Sequence, residues 1–316
     1  MNALLLGPGE NLVDAVAGRI GESGVALSDA IVVFPGKRPA HFLRQRLAEG
    51  RTAGFLPPRI LSMDQLVDAA FEARQTRADR VLPKAEAIDA VALLYEIQLE
   101  AERPLGGTAF MTLDSFLPLG LKIHRDLEEL TIEGVPARKV AEVQALIEEE
   151  VPERSRERLL ALSWFYERFY PKVAENTLST RSSRYVDVAG SIEPGDLGSF
   201  QLLIFAGFST LTMAERDLFA RAAVWPQSLF IFQDGPGLRE KLDSLAVRHP
   251  AVSPVADPSS ATRRPEVHLS SSPDAHGQVF ALNAALDKPD GETVIVLPSP
   301  DTLFPLLRHC LSRFDE

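Results

Sequence analysis

The sequence predicts an α/β fold: a parallel sheet split by an all-α insertion, followed by the start of a second α/β domain. Three observations carry this. Strand-turn-helix units open the chain and return near residue 200, helix follows helix between them, and a short strand-helix texture resumes after a segment rich in Pro and Ser. The 316 residues suffice for about two domains of roughly 150 residues. Hydrophobic residues at 45% and charged residues at 24% exclude a wholly disordered chain or a coiled coil.

The elements follow in order. Ala3 to Leu6 is apolar and ends in Gly7-Pro8-Gly9, after which Leu12, Val13, Val16, Ala17 and Ile20 recur at helical spacing. Ala30 to Phe34 is a continuous β-branched and aromatic run of the kind buried on both faces of a parallel sheet. Pro35-Gly36 breaks it, and a helix through Phe42, Leu43 and Leu47 follows. Helical stripes then succeed one another through Leu66 to Phe71, Ala87 to Gln98, Phe116 to Leu127, Val140 to Ile147 and Leu159 to Phe169. The mixed-sign stretch from Glu148 to Arg158 reads as a solvated helix end and the next helix start. Leu202 to Phe205 restores the buried-strand pattern, Met213 to Val224 reads as a helix and Ser228 to Phe232 as a further strand. The split α/β domain is thus expected over 1–61 and 178–250, the helical insertion over 62–177 and a linker over 251–265. Residues 266–316 hold two strand runs, Glu266 to Leu269 and Thr293 to Leu297, each followed by a helical stretch. Two strands are too few for a stable sheet, so the chain is expected to be the front of a longer polypeptide.

Thirty-three Lys and Arg against 44 Asp and Glu give a net charge of −11, which excludes nucleic-acid binding through general positive charge and leaves only a local patch. Cys310 is the only cysteine, so the chain has no intrachain disulfide and no cysteine-rich metal site. This suits a reducing cytoplasm. Neither the start, MNALLLGPGENL, nor any later stretch has the pattern of a signal peptide or a membrane span.

Two motifs invite chemistry. Gly7-Pro8-Gly9-Glu10-Asn11 stands where a phosphate-cradling loop joins strand to helix, yet Asn11, Leu12, Val13 and Asp14 occupy the place of the Lys and Ser/Thr such a loop requires. An ordinary Gly-rich turn is the favoured reading, with Gly7, Gly9 and Asn11 at most a vestigial nucleotide loop. No carboxylate pair follows Leu202 to Phe205 to hold magnesium. The second motif is basic: Lys37, Arg38, His41, Arg44 and Arg46 crowd a helix start, with Arg59 grouped near them. That pattern grips a phosphate backbone without reading bases; a solvated basic face is an equally good account. The six histidines show no ligand spacing, and no Gly-x-Ser-x-Gly supports a catalytic serine.

The order of these pieces resembles the N-terminal part of AddB-type subunits of bacterial helicase-nucleases, and of related PD-(D/E)XK nuclease family proteins with a superfamily 1 helicase-like front. The matching stations are Leu4 to Asn11 at the phosphate-loop position, Ile31 to Leu47 at the second strand, Ile60 to Val67, and the helical insertion. Leu202 to Phe219 stands at the magnesium-strand position, Leu229 to Gly235 at the next motif and Val294 to Leu311 at the entry to a second motor-like domain. The resemblance implies a RecA-like (P-loop NTPase-like) sheet and an inactivated motor serving as a DNA-handling scaffold in double-strand-break repair and recombination. It implies no catalytic residue, metal or cofactor in this segment, and an exonuclease site in a C-terminal region of a longer parent. The implied partners are single-stranded DNA or duplex ends, bound weakly and without sequence preference, and a helicase-nuclease subunit, in the cytoplasm and away from membranes. The alternative is a soluble α/β enzyme binding a nucleotide or nucleotide-sugar through the Gly7-Pro8-Gly9 turn.

Overall fold

The computed structural model describes residues 2–7, 9–52, 54–101, 105–146, 153–235, 266–286, 291, 293–297 and 299–314. Pro8, most of the acidic run after Leu146 and the expected linker over 251–265 lie outside the described residues. The chain divides into two units, Met1–Ala261 and Thr262–Glu316.

The first unit is built on five parallel strands: β1 (Asn2–Leu6), β2 (Ala30–Phe34), β3 (Arg59–Ser62), β4 (Leu202–Ala206) and β5 (Ser228–Gln233), in the order β1-β5-β4-β2-β3. Ile31 lies opposite Leu203 and Val33 opposite Phe205, so the runs on either side of the helical stretch are direct neighbours in one sheet. Their unbroken apolarity has its reason in the two faces. Ile31, Val33, Leu203 and Phe205 point to one side, Val32, Phe34, Ile204 and Ala206 to the other, and all eight are buried.

Handedness decides which helix covers which face. From β1 to β2 to β3 the chain moves toward one edge, and α1 (Leu12–Glu22) and α2 (Arg38–Ala48) pack on the Val32 side through Val16, Ile20, Leu43 and Leu47. From β3 to β4 to β5 it moves back. A right-handed crossover then requires the opposite face, where α3 (Met63–Arg77), α8 (Arg181–Ser191) and α9 (Met213–Ala222) lie. That face is aromatic: the rings of Phe205 and Phe230 stack at 5.1 Å, with Phe219 4.7 Å from Phe205 and 5.2 Å from Phe230. Such pairs add about 0.5–1.5 kcal/mol each beyond area burial.

Between α3 and α8 run α4 (Ala87–Glu100), α5 (Leu113–Ile132), α6 (Ala137–Leu146) and α7 (Glu153–Glu175). Helices α4, α5 and α7 share a separate core of Val91, Leu94, Ile97, Phe116, Leu127, Phe165 and Phe169. Polar side chains tie this layer to α8. Glu128 of α5, buried, accepts from the Ser182 hydroxyl at 2.6 Å and the Ser182 amide at 3.0 Å, in the first turn of α8, where a carboxylate suits the helix dipole. The Tyr170 hydroxyl stands 2.8 Å from the Ser182 hydroxyl, and burial pushes its pKa far up.

In the second unit α10 (Ala275–Ala285) and α11 (Leu303–His309) pack through Val279, Leu306 and Cys310. The expected strands Glu266 to Leu269 and Thr293 to Leu297 form no ladder among the described residues. Ile295 and Leu297 turn to the helices while Val294 and Val296 are exposed. Two separated segments have no neighbouring strands to pair with, and an isolated pair is marginal in water. Among the described residues no helix is long and apolar enough to cross a membrane.

Two stability measurements follow. Arg184, almost fully buried, is held by Asp68 at 3.0 Å, Glu72 at 3.3 Å and the Ser179 hydroxyl at 2.9 Å. Arg184→Met removes the charge at similar size and leaves Asp68, which keeps Lys84 at 2.9 Å, without its second cation. The expected loss is about 2 kcal/mol in urea unfolding; a change within ~0.5 kcal/mol, the range of ordinary surface sites, would refute it. Burial lowers the His124 imidazole pKa despite the opposing pull of Glu128. The unfolded chain therefore takes the proton first, and this contribution is complete above about pH 6.5 and is lost as pH falls toward the lowered folded value. The fall in Tm between pH 7.5 and 5.5 is expected to be smaller in His124→Gln than in the parent.

Candidate nucleic-acid interface

Because the strands are parallel, the loops leaving their carboxyl ends share one edge of the sheet, where open α/β sheets bind ligands. The loop after β1 is closed upon itself. The Gly7 amide donates to Glu10 Oε2 at 2.5 Å, the Glu10 amide returns to the Gly7 carbonyl at 3.1 Å, and Asn11 caps α1 by accepting from the Val13 amide at 2.8 Å. An amide that could meet a phosphate is thus committed to a carboxylate of the chain itself. From β5, the Asp234 amide donates to the Leu6 carbonyl at 2.7 Å and Gln233 Nε2 to the Glu10 carbonyl at 3.4 Å. The wall contributed by β4 is equally tight: Gly207 has φ +77°, and a Cβ there would lie 2.6 Å from Leu12 Cδ2. The residue after it, Phe208, is buried against Phe205 and Phe219. An apolar ring therefore fills the position where a magnesium-holding acid would follow β4.

The basic motif opens at the same edge, beside the switch point between β2 and β4, where the chain leaves to opposite faces. Pro39 stands in the first turn of α2, and Ala40, Leu43 and Leu47 bury one stripe against the sheet. The outer face then carries Arg38, His41, Phe42 and Gln45, flanked by Lys37 and Arg44, all exposed. No side chain caps the α2 amides and no acid stands in its first turn, whereas α1, α3 and α9 carry Asp14, Asp64 and Glu215 there. Among the described residues Lys37, Arg38, His41 and Arg44 have no ion-pair partner.

The other two basic candidates stand apart. Arg46 points along α1, bonded to Asp14 at 2.5 Å and Glu49 at 2.6 Å, and both carboxylates raise its pKa. Arg59 begins β3 opposite Ile31, at the amino end of the sheet, and donates from Nη1 to the Leu197 carbonyl at 2.6 Å. The structure thus groups Lys37, Arg38, His41 and Arg44, joins Arg46 to α1 and sends Arg59 to the far edge. It also turns Phe42 outward. Placed in the apolar stripe by sequence, Phe42 is 57% exposed, its ring 5.8 Å from that of His41 at an interplanar angle of 72°. The signal was available in the spacing, since Phe42 is out of helical phase with Ala40, Leu43 and Leu47.

Elsewhere the second unit has an open, mostly apolar pocket of about 230 Å³ lined by α10, residues 293–297 and α11. Among the described residues no group of three or more His, Cys, Asp or Glu is placed to hold a metal. A scan against protein-family models and a search of curated proteins find no match to the chain.

The loop geometry gives a direct expectation. Without a Lys, and with Glu10 on the Gly7 amide, the chain is expected to show no DNA-stimulated ATP hydrolysis above background. Turnover that disappears in Gly9→Val would overturn this account of the loop.

Proposed function

We propose that the chain is a non-hydrolysing, RecA-like scaffold that holds the backbone of DNA without sequence preference through Lys37, Arg38, His41 and Arg44. In this reading it belongs to the DNA-handling front of a cytoplasmic repair and recombination nuclease of the AddB type and works beside a motor subunit. The observation that carries the reading is the set of four basic side chains, without ion-pair partners among the described residues, at an uncapped helix start in a chain of net charge −11. Cations there oppose the helix dipole and one another. A bound phosphate backbone would relieve both. Support also comes from the stations of the resemblance, since the phosphate-loop, magnesium-position and next-motif strands are β1, β4 and β5 of one parallel sheet. The nucleotide-enzyme alternative needs the loop after β1 open to phosphate, and Glu10 stands on its amide.

The test is fluorescence anisotropy of a labelled single-stranded oligonucleotide over a salt series, with the parent and the Lys37→Glu/Arg38→Glu double variant. Binding is expected to be weak, indifferent to sequence and lost as salt rises. The double variant should bind less and show a salt slope smaller by about one for each phosphate contact removed. Superimposable curves for the two proteins would remove the assignment.

A further inference from the structure

Helix α4 is apolar on more of its surface than its packing uses. Ala90, Val91, Leu93, Leu94 and Ile97 are buried in the core it shares with α5 and α7. A helix at a protein surface ordinarily turns charged and polar side chains to the other side. By helical phase, the side of α4 away from that core instead carries the row Ile88, Ala92, Tyr95 and Leu99, with Ile88 55% and Leu99 48% exposed. Singly scattered apolar side chains are ordinary on a surface. These four follow one another at intervals of 4, 3 and 4 residues along the whole helix, the rhythm with which one helix meets another along a seam. Tyr95 is pinned within the row: its hydroxyl donates to the Met111 carbonyl at 2.6 Å, and its ring lies 5.7 Å from that of Phe116. Little freedom is left to lose there on binding.

Charge beside the row identifies what fits it. Asp89, Glu96 and Glu100 lie next to the apolar row by the same phase, all three exposed, and α4 contains no Lys or Arg. Lys172 of α7 bonds Glu96 at 3.0 Å and Glu100 at 2.7 Å, one cation for three acids. The helix spends its backbone hydrogen bonds within itself, so a strand has nothing to add to. A second copy of this chain docked antiparallel would set acid against acid. From the apolar row and the acids along it we infer that this face docks an amphipathic helix of a partner protein, one whose apolar stripe is flanked by Lys or Arg placed to meet Asp89 and Glu96. The assignment is independent of the grip proposed for α2. An acidic row repels a phosphate backbone, so the two faces suit ligands of opposite charge.

The test uses two synthetic peptides of three heptads with Leu at the a and d positions, one with Lys and one with Glu at e and g. Like charges at e and g keep each peptide from pairing with itself. Labelled peptide is titrated with the full chain and followed by fluorescence anisotropy. The lysine peptide is expected to bind and the glutamate peptide to remain free. Ile88→Ser/Leu99→Ser should weaken the lysine peptide about 10-fold; both side chains lie outside the core, so thermal unfolding should match the parent. Glu96→Lys spares the Asp89 carboxylate that accepts from the Glu86 amide, and should weaken the lysine peptide while strengthening the glutamate one. Should the serine variant bind the lysine peptide as the parent does, the net charge of the chain alone holds the peptide and the seam is refuted. Unchanged affinities in Glu96→Lys would overturn the basic partner. A dimer of the parent in analytical ultracentrifugation that is lost in the serine variant would give the face to a second copy and overturn the proposal as well.

Discussion

All five described strands of the first unit run the same way, and most of its architecture follows from that constraint. Parallel neighbours cannot be joined by tight hairpins, so each connection must cross a face of the sheet and cover it. The longest of these crossovers, from β3 to β4, contains the whole helical layer, yet it must leave and return on one face. Helices α3 and α8 are its two legs, and a charge ladder holds them side by side. Asp64 and Asp68 on α3 meet Arg181 and Arg184 on α8 at 2.9 and 3.0 Å, with the Arg74–Asp187 pair at 3.0 Å extending the row. Tyr185 donates to Asp64 at 2.6 Å in the same seam. Closed at its base in this way, the excursion through α4 to α7 can build its own core without disturbing the register of β2 on β4.

The same constraint collects the strand-to-helix loops at one edge, and the sequence gives each a different chemistry. After β1 the backbone turns onto the carboxylate of Glu10. After β4, Gly207 and Phe208 close against Leu12 and the aromatic core. Among the described residues, the β2 loop leads into exposed cations with no ion-pair partner. The described loops of this edge therefore lack what a nucleoside-triphosphate site needs in one place: free phosphate-facing amides after β1, acids after β4 and a cation between them.

Much of this was legible in the sequence because buried parallel strands leave a plain record. The runs Ile31 to Phe34 and Leu202 to Phe205 are apolar at every position, a pattern that requires two covered faces, and the structure makes them neighbours. Cap residues such as Asn11, Ser62, Thr180 and Thr212 mark helix starts by an equally local rule. Pairings set by tertiary position were not legible. Arg59 follows α2 closely in sequence, but β3 begins at the amino end of the sheet, so its side chain reaches Leu197 at the opposite edge from the start of α2. Arg46 reads as one more cation in a cluster until α1 packs beside α2 and offers Asp14. The strand runs of the second unit satisfy the apolar pattern, but a ladder requires neighbours that local pattern does not supply.

The cations of α2 stand against a local rule that several helices of the chain obey, while α6 and α8 also open without an acid in the first turn. An acid in the first turn is worth about 0.3–1 kcal/mol, and a cation there costs a similar amount; α1, α3, α5 and α9 all place Asp or Glu in that turn. In α2 the sequence sets Lys37 and Arg38 at the start, with His41 four residues after Lys37 and Arg44 three after His41, so basic side chains line one side of the helix. Packing does not demand this, since the buried stripe is made by Ala40, Leu43 and Leu47 alone. Nor does ion pairing, which Arg46 finds readily in the same helix. A local conflict without compensation inside the fold marks a position held for something outside it. In the reading proposed above, positive charge gathered on open amides complements a phosphate backbone.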